Sequence, residues 1–416
     1  MARRLWIFNQ YGAAPDQGAS TRHYDLAREL VGRGWEVTIF AAGFSHFSGR
    51  EERLRGWQLS RSGTFDGVEF VWLRTVPYQR NDWRRALSMV VYSVMALLRQ
   101  GRRRPPTHVI GYTVHPLAAL VGLITARRHR VPFFFEIGDL WPQTLIDLGA
   151  ISENGLATRA MRWLERYLAE HARAVISLMP RTADYFVERG VKVRELAVIP
   201  NGVPLDEGTQ SRASRAGSPV LDTVRGFQAD GSFVIVYAGA HGPANGLDTV
   251  LDAAALLRER DENEIRFVLV GHGPDRERLI DRCRREDLDN VVMLPPVSKD
   301  AIRPVLAQAD ACLVHVTRSP VHRYGNGLTF NKPLDYMAAG RPVVFACDVP
   351  DDPVADAGAG ISIQPHDPEA MAGAVLRLRD LSAAERDELG LRGRRYVAEH
   401  HDSAALARRL EVVLLG

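Results

Sequence analysis

Arginine supplies all but three of the fixed positive side chains in this 416-residue chain; the exceptions are Lys192, Lys299 and Lys332. An ammonium on a flexible stem is a compact point charge for a phosphate, which the wide fork of arginine does not reproduce. Lys332 lies inside the stretch from Arg323 to Ala346, R-Y-G-N-G-L-T-F-N-K-P-L-D-Y-M-A-A-G-R-P-V-V-F-A. Gly325 and Gly327 keep its entry flexible. Pro333 fits the first turn of a helix, where a missing N–H costs nothing. Leu334, Met337 and Ala338 fall on one helical face. Gly340 closes the helix, Arg341-Pro342 forbids its continuation, and Val343 to Ala346 reads as a short buried parallel strand. A helix start offers free N–H groups and partial positive charge to an anion. Asn331 and Lys332 stand at that start. Asp335 lies one turn inside, placed to accept from sugar hydroxyls. This layout predicts the binding of a nucleoside diphosphate; the other reading of Lys332 is an ordinary surface lysine at a helix start.

Repeated strand–loop–helix units must position these groups. Arg4 to Asn9 is a buried strand, Gln10 to Ser20 a loop with Gly12, Pro15 and Gly18, Thr21 to Gly32 a helix, and Gly34 to Ala41 the next strand. That is a βαβ unit. It has no G-x-G-x-x-G, so no dinucleotide site is assigned. Gly18 reads either as a point of close phosphate or acceptor approach or as a turn glycine. Phe133 to Ile137 is a strand running into Gly138-Asp-Leu-Trp-Pro-Gln143, which puts Asp139 at a strand C-terminus, facing the crevice expected of such sheets; helix capping is its other reading. In the second half, Phe233 to Ala238 leads into Gly239-Ala-His-Gly-Pro-Ala-Asn-Gly-Leu-Asp248. Gly239, Gly242 and Gly246 leave room for a phosphate against backbone N–H groups, with His241 and Asn245 in the same loop. Ile265 to Val270 then runs into Gly271-His-Gly-Pro274, Asn290 to Val297 includes Pro296 and Val297, and Lys299 to Gln308 reads as a helix. Asp287-Leu-Asp289 spells D-x-D within charged helix–loop sequence, and chance accounts for it.

Length predicts two to three domains with large cores. Residues 1–203 form the first half, 204–219 a linker rich in Ser, Gly and charge, 220–395 the second half and 396–416 a terminal helix. Cys283, Cys312 and Cys347 follow no metal-ligand spacing and read as reduced thiols of a cytoplasmic protein. Met1-Ala-Arg-Arg precedes only four apolar residues before Asn9, which does not fit a signal peptide. The net charge of +3 hides an asymmetry: residues 1–200 hold 28 Lys/Arg against 18 Asp/Glu, a balance of +10. No nucleic-acid motif accompanies this charge, and an anionic membrane surface fits it better. Trp83 to Arg104 reads as a helix carrying the apolar run Ala86 to Leu98 between arginines. It is shorter than the about 20 residues that span a bilayer. It serves either to dock on a membrane or to pack on the core through Val90, Val94 and Leu97.

The run Asn331 to Val344 resembles the signature N-K-x-x-(D/E)-Y-M-A-A-G-x-P-V-V of the family 4 glycosyltransferases, near the bacterial surface-polysaccharide transferases of the L-fucosamine type. Asp139-Leu-Trp-Pro142 and the 239–248 loop continue the similarity, and I-P-N-G-V at 199–203 resembles the family's hand-over between domains. The resemblance implies two Rossmann-like α/β domains facing a cleft (the GT-B fold), with the last helix crossing back to the first domain. It implies transfer of a sugar from a nucleoside-diphosphate donor, UDP being expected, with anomeric retention, no metal and no cofactor beyond the donor. Lys332, Gly239, His241, Gly242, Asn245, Gly246, Gly271, Pro296, Val297, Asn331 and Asp335 are the implied donor contacts, with Gly18 beside them and Asp139 toward the acceptor. The implied acceptor is a glycan or a polyprenyl-linked carrier, and the expected location is the cytoplasm or the inner face of a membrane. Two departures stand out. The wider family's first glutamate falls at Gly327, and the histidine many members carry before the aspartate falls at Gly138, so a histidine-centred mechanism does not transfer. Sugar-nucleotide 2-epimerases of the same fold, or a binding protein without catalysis, fit the same donor elements.

Overall fold

The structure is a computed structural model, and it describes residues 2–17, 20–46, 48–79, 82–101, 103–113, 115–147, 149–205, 218–317, 331–349 and 351–416. Gly18, Gly325, Gly327, Arg102 and most of the expected linker lie outside the described residues. The described chain divides into two compact units: one runs to Asn201 and resumes at Ser403, the other runs from Gly202 to Asp402.

Unit 1 is built on β1 (Arg3–Phe8), β2 (Trp35–Ala42), a small β3–β4 pair (Phe44–Ser45, Arg50–Glu51), β5 (Ser60–Phe65), β6 (Val68–Leu73), β7 (His108–Tyr112), β8 (Phe133–Ile137), β9 (Ala174–Ser177) and β10 (Leu196–Val198). The main sheet runs β10-β9-β8-β7-β1-β2-β6-β5. Only β5 is antiparallel to its neighbour in that sheet. Leu5 to Phe8 are all buried because helices cover both faces of a parallel sheet, which is why the strands read as continuous apolar runs. Gly111 and Gly122 are small for a packing reason: a Cβ on Gly111 would stand 2.7 Å from the Ala119 backbone. The helix Ser403–Leu415 packs its Leu406, Ala407, Leu410 and Leu414 into the same core as Tyr24, Leu30 and Trp35. Its Glu411 accepts from Arg3 at 2.9 Å and from the Trp35 indole at 3.0 Å.

Unit 2 carries β11 (Phe233–Ala238), β12 (Ile265–Val270), β13 (Val291–Leu294), β14 (Ala311–His315), β15 (Val343–Ala346) and β16 (Gly360–Ile363), in the order β13-β12-β11-β14-β15-β16 and all parallel. In both sheets the strand order reverses beside the first strand, between β1 and β7 and between β11 and β14. Open parallel sheets bind ligands outside the strand C-termini at such reversals.

One expected boundary moves. The helix from Trp83 ends at Leu98 rather than Arg104: the Arg99 N–H closes on Met95 O, Gly101 turns the chain at φ +69°, and Arg103 folds back to Glu69 at 2.9 Å. The uncharged run Val109 to Ala126 is divided between β7 and the helix Pro116–His129.

Candidate functional site

The helix Lys332–Ala338 begins and ends where Pro333 and Gly340 place it, with the Gly340 N–H on Met337 O. It is seven residues long, so its end field is that of two turns, and the positive charge of the site rests chiefly on Lys332. That side chain crosses to the β11 loop at the strand-order reversal. Its Nζ donates to Tyr237 Oη at 3.0 Å and to Asn245 Oδ1, and sits 4.8 Å from the centre of the Tyr237 ring. Tyr237 passes its own proton to Ala240 O at 2.7 Å. An ammonium has three donors, so one N–H remains for a ligand. Gly239 provides the passage: a Cβ there would lie 2.4 Å from Lys332 Cε. Burial pushes the Lys332 ammonium down to about 8.

The other loop residues are held from several sides. His315, buried at the end of β14, lies with Nδ1 2.8 Å from Asn245 O, while its Nε2 accepts from the His366 N–H at 3.3 Å. Gly246 takes a φ of +49°, and a Cβ there would lie 2.6 Å from Thr317 Cγ2. A side chain on Gly271 would meet Gly239 O at 1.9 Å, and one on Gly273 would meet His241 O at 2.2 Å. These glycines let the β12 turn seat the His241 backbone. Gly242 meets only Pro274, at 3.7 Å, so nothing steric requires glycine there. Tyr336 receives the Ala238 N–H at 2.9 Å and donates to Ala238 O at 3.0 Å, fixing the end of β11. His241 itself is fully buried, and neither ring nitrogen has a hydrogen-bond partner among the described residues. Burial first, then Arg276, His272 and Lys332, pushes its ring down to about 4, so it is neutral at pH 7. It brings hydrogen-bonding capacity to the loop and no charge.

The remaining donor candidates spread away from this point. Asn331 precedes the helix and makes no side-chain cap. Asp335 turns toward the helix Lys299–Gln308, with Oδ1 3.9 Å from Lys299 Nζ, buried and without a hydrogen-bond partner among the described residues. It lines a cavity of about 360 Å³ with Arg303, Ala338 and Arg394. Pro296 is exposed and Val297 half-buried in the segment after β13. Tyr237, Tyr336, Gly273 and His315 were not singled out by sequence; their periodicity marks only buried strand and helix positions, and their contacts are made across the sheet.

In unit 1, Asp139 lies half-buried just past β8 and lines a small cavity with Thr113, Trp141 and Glu165. Burial pushes the Glu165 carboxyl up to about 8, and it accepts from Tyr185 at 2.7 Å. Beneath this edge is a polar cluster that sequence did not mark. Glu136, buried in β8, accepts from Arg22 at 2.9 Å and from His23 Nε2 at 2.8 Å. Arg22 also reaches Ile199 O at 2.8 Å. Asn9 takes the Tyr11 N–H on Oδ1 at 3.0 Å, so its Nδ2 faces His23 Nδ1 at 2.9 Å. That fixes His23 Nδ1 as acceptor and Nε2–H as donor to the carboxylate.

The helix Trp83–Leu98 turns one narrow face inward. Ser88, Tyr92 and Ala96 are buried, Ser88 receiving Gln10 Nε2 at 3.2 Å and Tyr92 donating to Phe40 O at 2.7 Å. Its outer face carries Trp83, 68% exposed, with Leu87, Val90, Val94 and Leu98, 71% exposed. Core packing through Val90 and Val94 is therefore corrected, although Leu97 does touch the core. Arg103 and Arg104 of the basic tail pair with Glu69 and Glu36. Among the described residues no helix is long and apolar enough to cross a membrane.

Two family models match the chain: a glycosyl transferase 4-like domain over residues 17–202 and a glycosyl transferases group 1 domain over residues 232–380. A protein of Escherichia coli K12 named as a colanic acid biosynthesis glycosyl transferase, WcaI, is 25% identical over 300 residues, 70% of this chain and 71% of that one. A D-inositol 3-phosphate glycosyltransferase of Thermomonospora curvata is 24% identical over 97% of this chain and 92% of its own. Among solved structures, Anabaena HepE in complex with UDP superposes with a TM-score of 0.66 at 14% identity, covering 100% of this chain and 99% of that one. Two matched domain models, full-length relatives and a shared two-domain architecture agree with the signature around Lys332: the chain belongs to the family 4 glycosyltransferases, enzymes of the GT-B fold that use a nucleotide-sugar donor.

Proposed function

We propose that this enzyme moves an N-acetylated hexosamine or deoxyhexosamine from a UDP-sugar to a hydroxyl of a lipid-linked acceptor during surface-glycan assembly, with retention at the anomeric carbon and without a metal. The observation that carries the donor half is the Lys332 ammonium, held by Tyr237 and Asn245 at the β11–β14 reversal with one N–H to spare. In this reading it meets the diphosphate, whose charge grows as the sugar leaves. The neutral His241 ring and the backbone of the Gly239–Gly246 loop add hydrogen bonds, Asp335 takes the ribose, and Asp139 orients or deprotonates the acceptor hydroxyl. The HepE complex supports UDP, and the name of WcaI supports a surface glycan.

A screen of UDP-sugars against polyprenyl-diphosphate-linked N-acetylglucosamine tests this reading. The expected product is a lipid bearing one added sugar, with the rate unchanged by EDTA. An altered free donor sugar would make the protein an epimerase, and no product in any pairing would leave a donor-binding protein.

The acceptor half includes docking on an anionic membrane. Its support is the exposed stripe Trp83, Leu87, Val90, Val94 and Leu98 with the exposed Arg84 and Arg99 beside it. Apolar and basic groups side by side are the pattern of interfacial helices, each arginine near an anionic leaflet adding about 1 kcal/mol. The protein is expected to float with phosphatidylglycerol-rich vesicles at low salt. Flotation should fail at high salt and in a Trp83→Ser, Val90→Ser, Arg84→Ser, Arg99→Ser variant. A wild-type protein that stays in the bottom fraction at low salt would refute docking.

A further inference from the structure

Tyr112 ends β7, pairs in register with Glu136 of β8, and lies beside the β1–β7 reversal of unit 1. Its side chain runs across Gly138. A Cβ built on Gly138 would stand 2.0 Å from Tyr112 Oη and 2.4 Å from Cζ. The tyrosine therefore fills the space where a side chain at 138 would begin, and only glycine leaves it there. The ring is held edge-on against His23, centroid to centroid 4.6 Å, and His23 is itself locked between Asn9 and Glu136. So the phenol stands on a rigid base. Its hydroxyl makes no hydrogen bond among the described residues, and it is not sealed off as a buried orphan. Burial, then the charges of Asp139 and Glu136, push the phenol well above its ordinary range, with Arg22 opposing. It stays protonated at working pH and keeps a proton to donate.

We propose that Tyr112 Oη, beside Asp139 at the C-terminal edge of the unit 1 sheet, contacts the acceptor and helps set the direction of its reacting hydroxyl. This rests on the transferase reading above. The two groups divide the work: Asp139 accepts, and Tyr112 both donates and accepts. An acceptor hydroxyl has a donor and an acceptor side of its own, so the pair fixes its orientation as well as its position. The Tyr112–Gly138 pairing also explains the departure at 138. The place of the side chain that many family members carry there is taken by a residue from the neighbouring strand.

Tyr112→Phe tests the proposal, because it removes one oxygen and keeps the ring on His23. The probe acceptor is polyprenyl-diphosphate-linked N-acetylglucosamine, with the UDP-sugar that the wild type turns over. The expected result is a loss of about tenfold in kcat/KM for the acceptor, with UDP affinity by calorimetry and the melting temperature unchanged. Gly138→Ala, which must push the tyrosine aside, should show the same acceptor defect with UDP affinity retained. Tyr112→Phe within twofold of wild type overturns the proposal, as does a loss that follows melting temperature or UDP affinity. A wild-type protein that transfers nothing to this acceptor overturns the transferase reading itself, which is a different failure.

Discussion

Lys332→Ala is expected to lower kcat/KM by about 10²–10³-fold, the usual cost of removing a positioned donor from a developing oxyanion, while the fold survives. The side chain contributes little to the core: its contacts are Tyr237 and Asn245, which stay anchored through Ala240 and His315. Lys332→Arg should also be impaired. The passage beside Gly239 is already filled at Cε, and a planar guanidinium does not repeat the two-partner geometry. The pH dependence separates this reading from a structural one. Burial holds the ammonium at about 8 in the free protein, so its charge is lost as pH rises through that value. A bound diphosphate favours the charged form and raises the pKa, so UDP binding takes up a proton above pH 8 and weakens with rising pH. Calorimetry from pH 7 to 9.5 should show this fall in the wild type and a flat line in Lys332→Ala. Equal UDP affinity in the two proteins at pH 7 would remove Lys332 from the site.

Glu136→Gln is expected to cost about 3–5 kcal/mol, because it leaves the Arg22 guanidinium, buried with it, without a counter-charge. In a unit of this size that lowers the melting temperature by roughly 10 °C. Burial opposes charge on this carboxyl, but His23 and Arg22 outweigh it and hold the pKa at about 2, against 4.5 for a freely solvated carboxyl. Because the folded pKa is depressed, the stabilisation is fully present above about pH 4.5 and is lost as pH falls toward 2. It amounts to about 3 kcal/mol on this linkage. Acid unfolding followed by circular dichroism should show that slope in the wild type and lose part of it in Glu136→Gln. A variant that melts with the wild type would mean the cluster is dispensable for the fold.

The stretch around Lys332 was legible in sequence because its determinants are local. Pro333 and Gly340 punctuate one short helix, and Val343–Ala346 is buried on both sides, so pattern and structure coincide. The helix Lys299–Gln308 was bounded at both ends for the same kind of reason: Ser298 caps it through the Ala301 N–H at 3.3 Å. The glycines of the Gly239 loop were readable as points of close approach, and two of them are: Gly239 makes room for Lys332 Cε and Gly246 for Thr317 Cγ2.

What sequence left undetermined is which distant groups meet. Glu136 and His23 are 113 positions apart, and Tyr237 and Lys332 are 95 apart; no periodicity links them, because strand order, not spacing along the chain, sets them side by side. Periodicity marked the helix Trp83–Leu98 as amphipathic but did not say that the face of Ser88, Tyr92 and Ala96 would be the buried one; that followed from Gln10 and Phe40, which offer hydrogen-bond partners to Ser88 and Tyr92. The same holds at 138. Sequence determined that the residue is glycine, with no side chain to do chemistry, while the tertiary structure decided what occupies the vacated volume. Local backbone preferences and burial periods are encoded residue by residue, but the partner across a sheet is chosen by the packing of the whole unit, and the tyrosine at Gly138 comes from another strand.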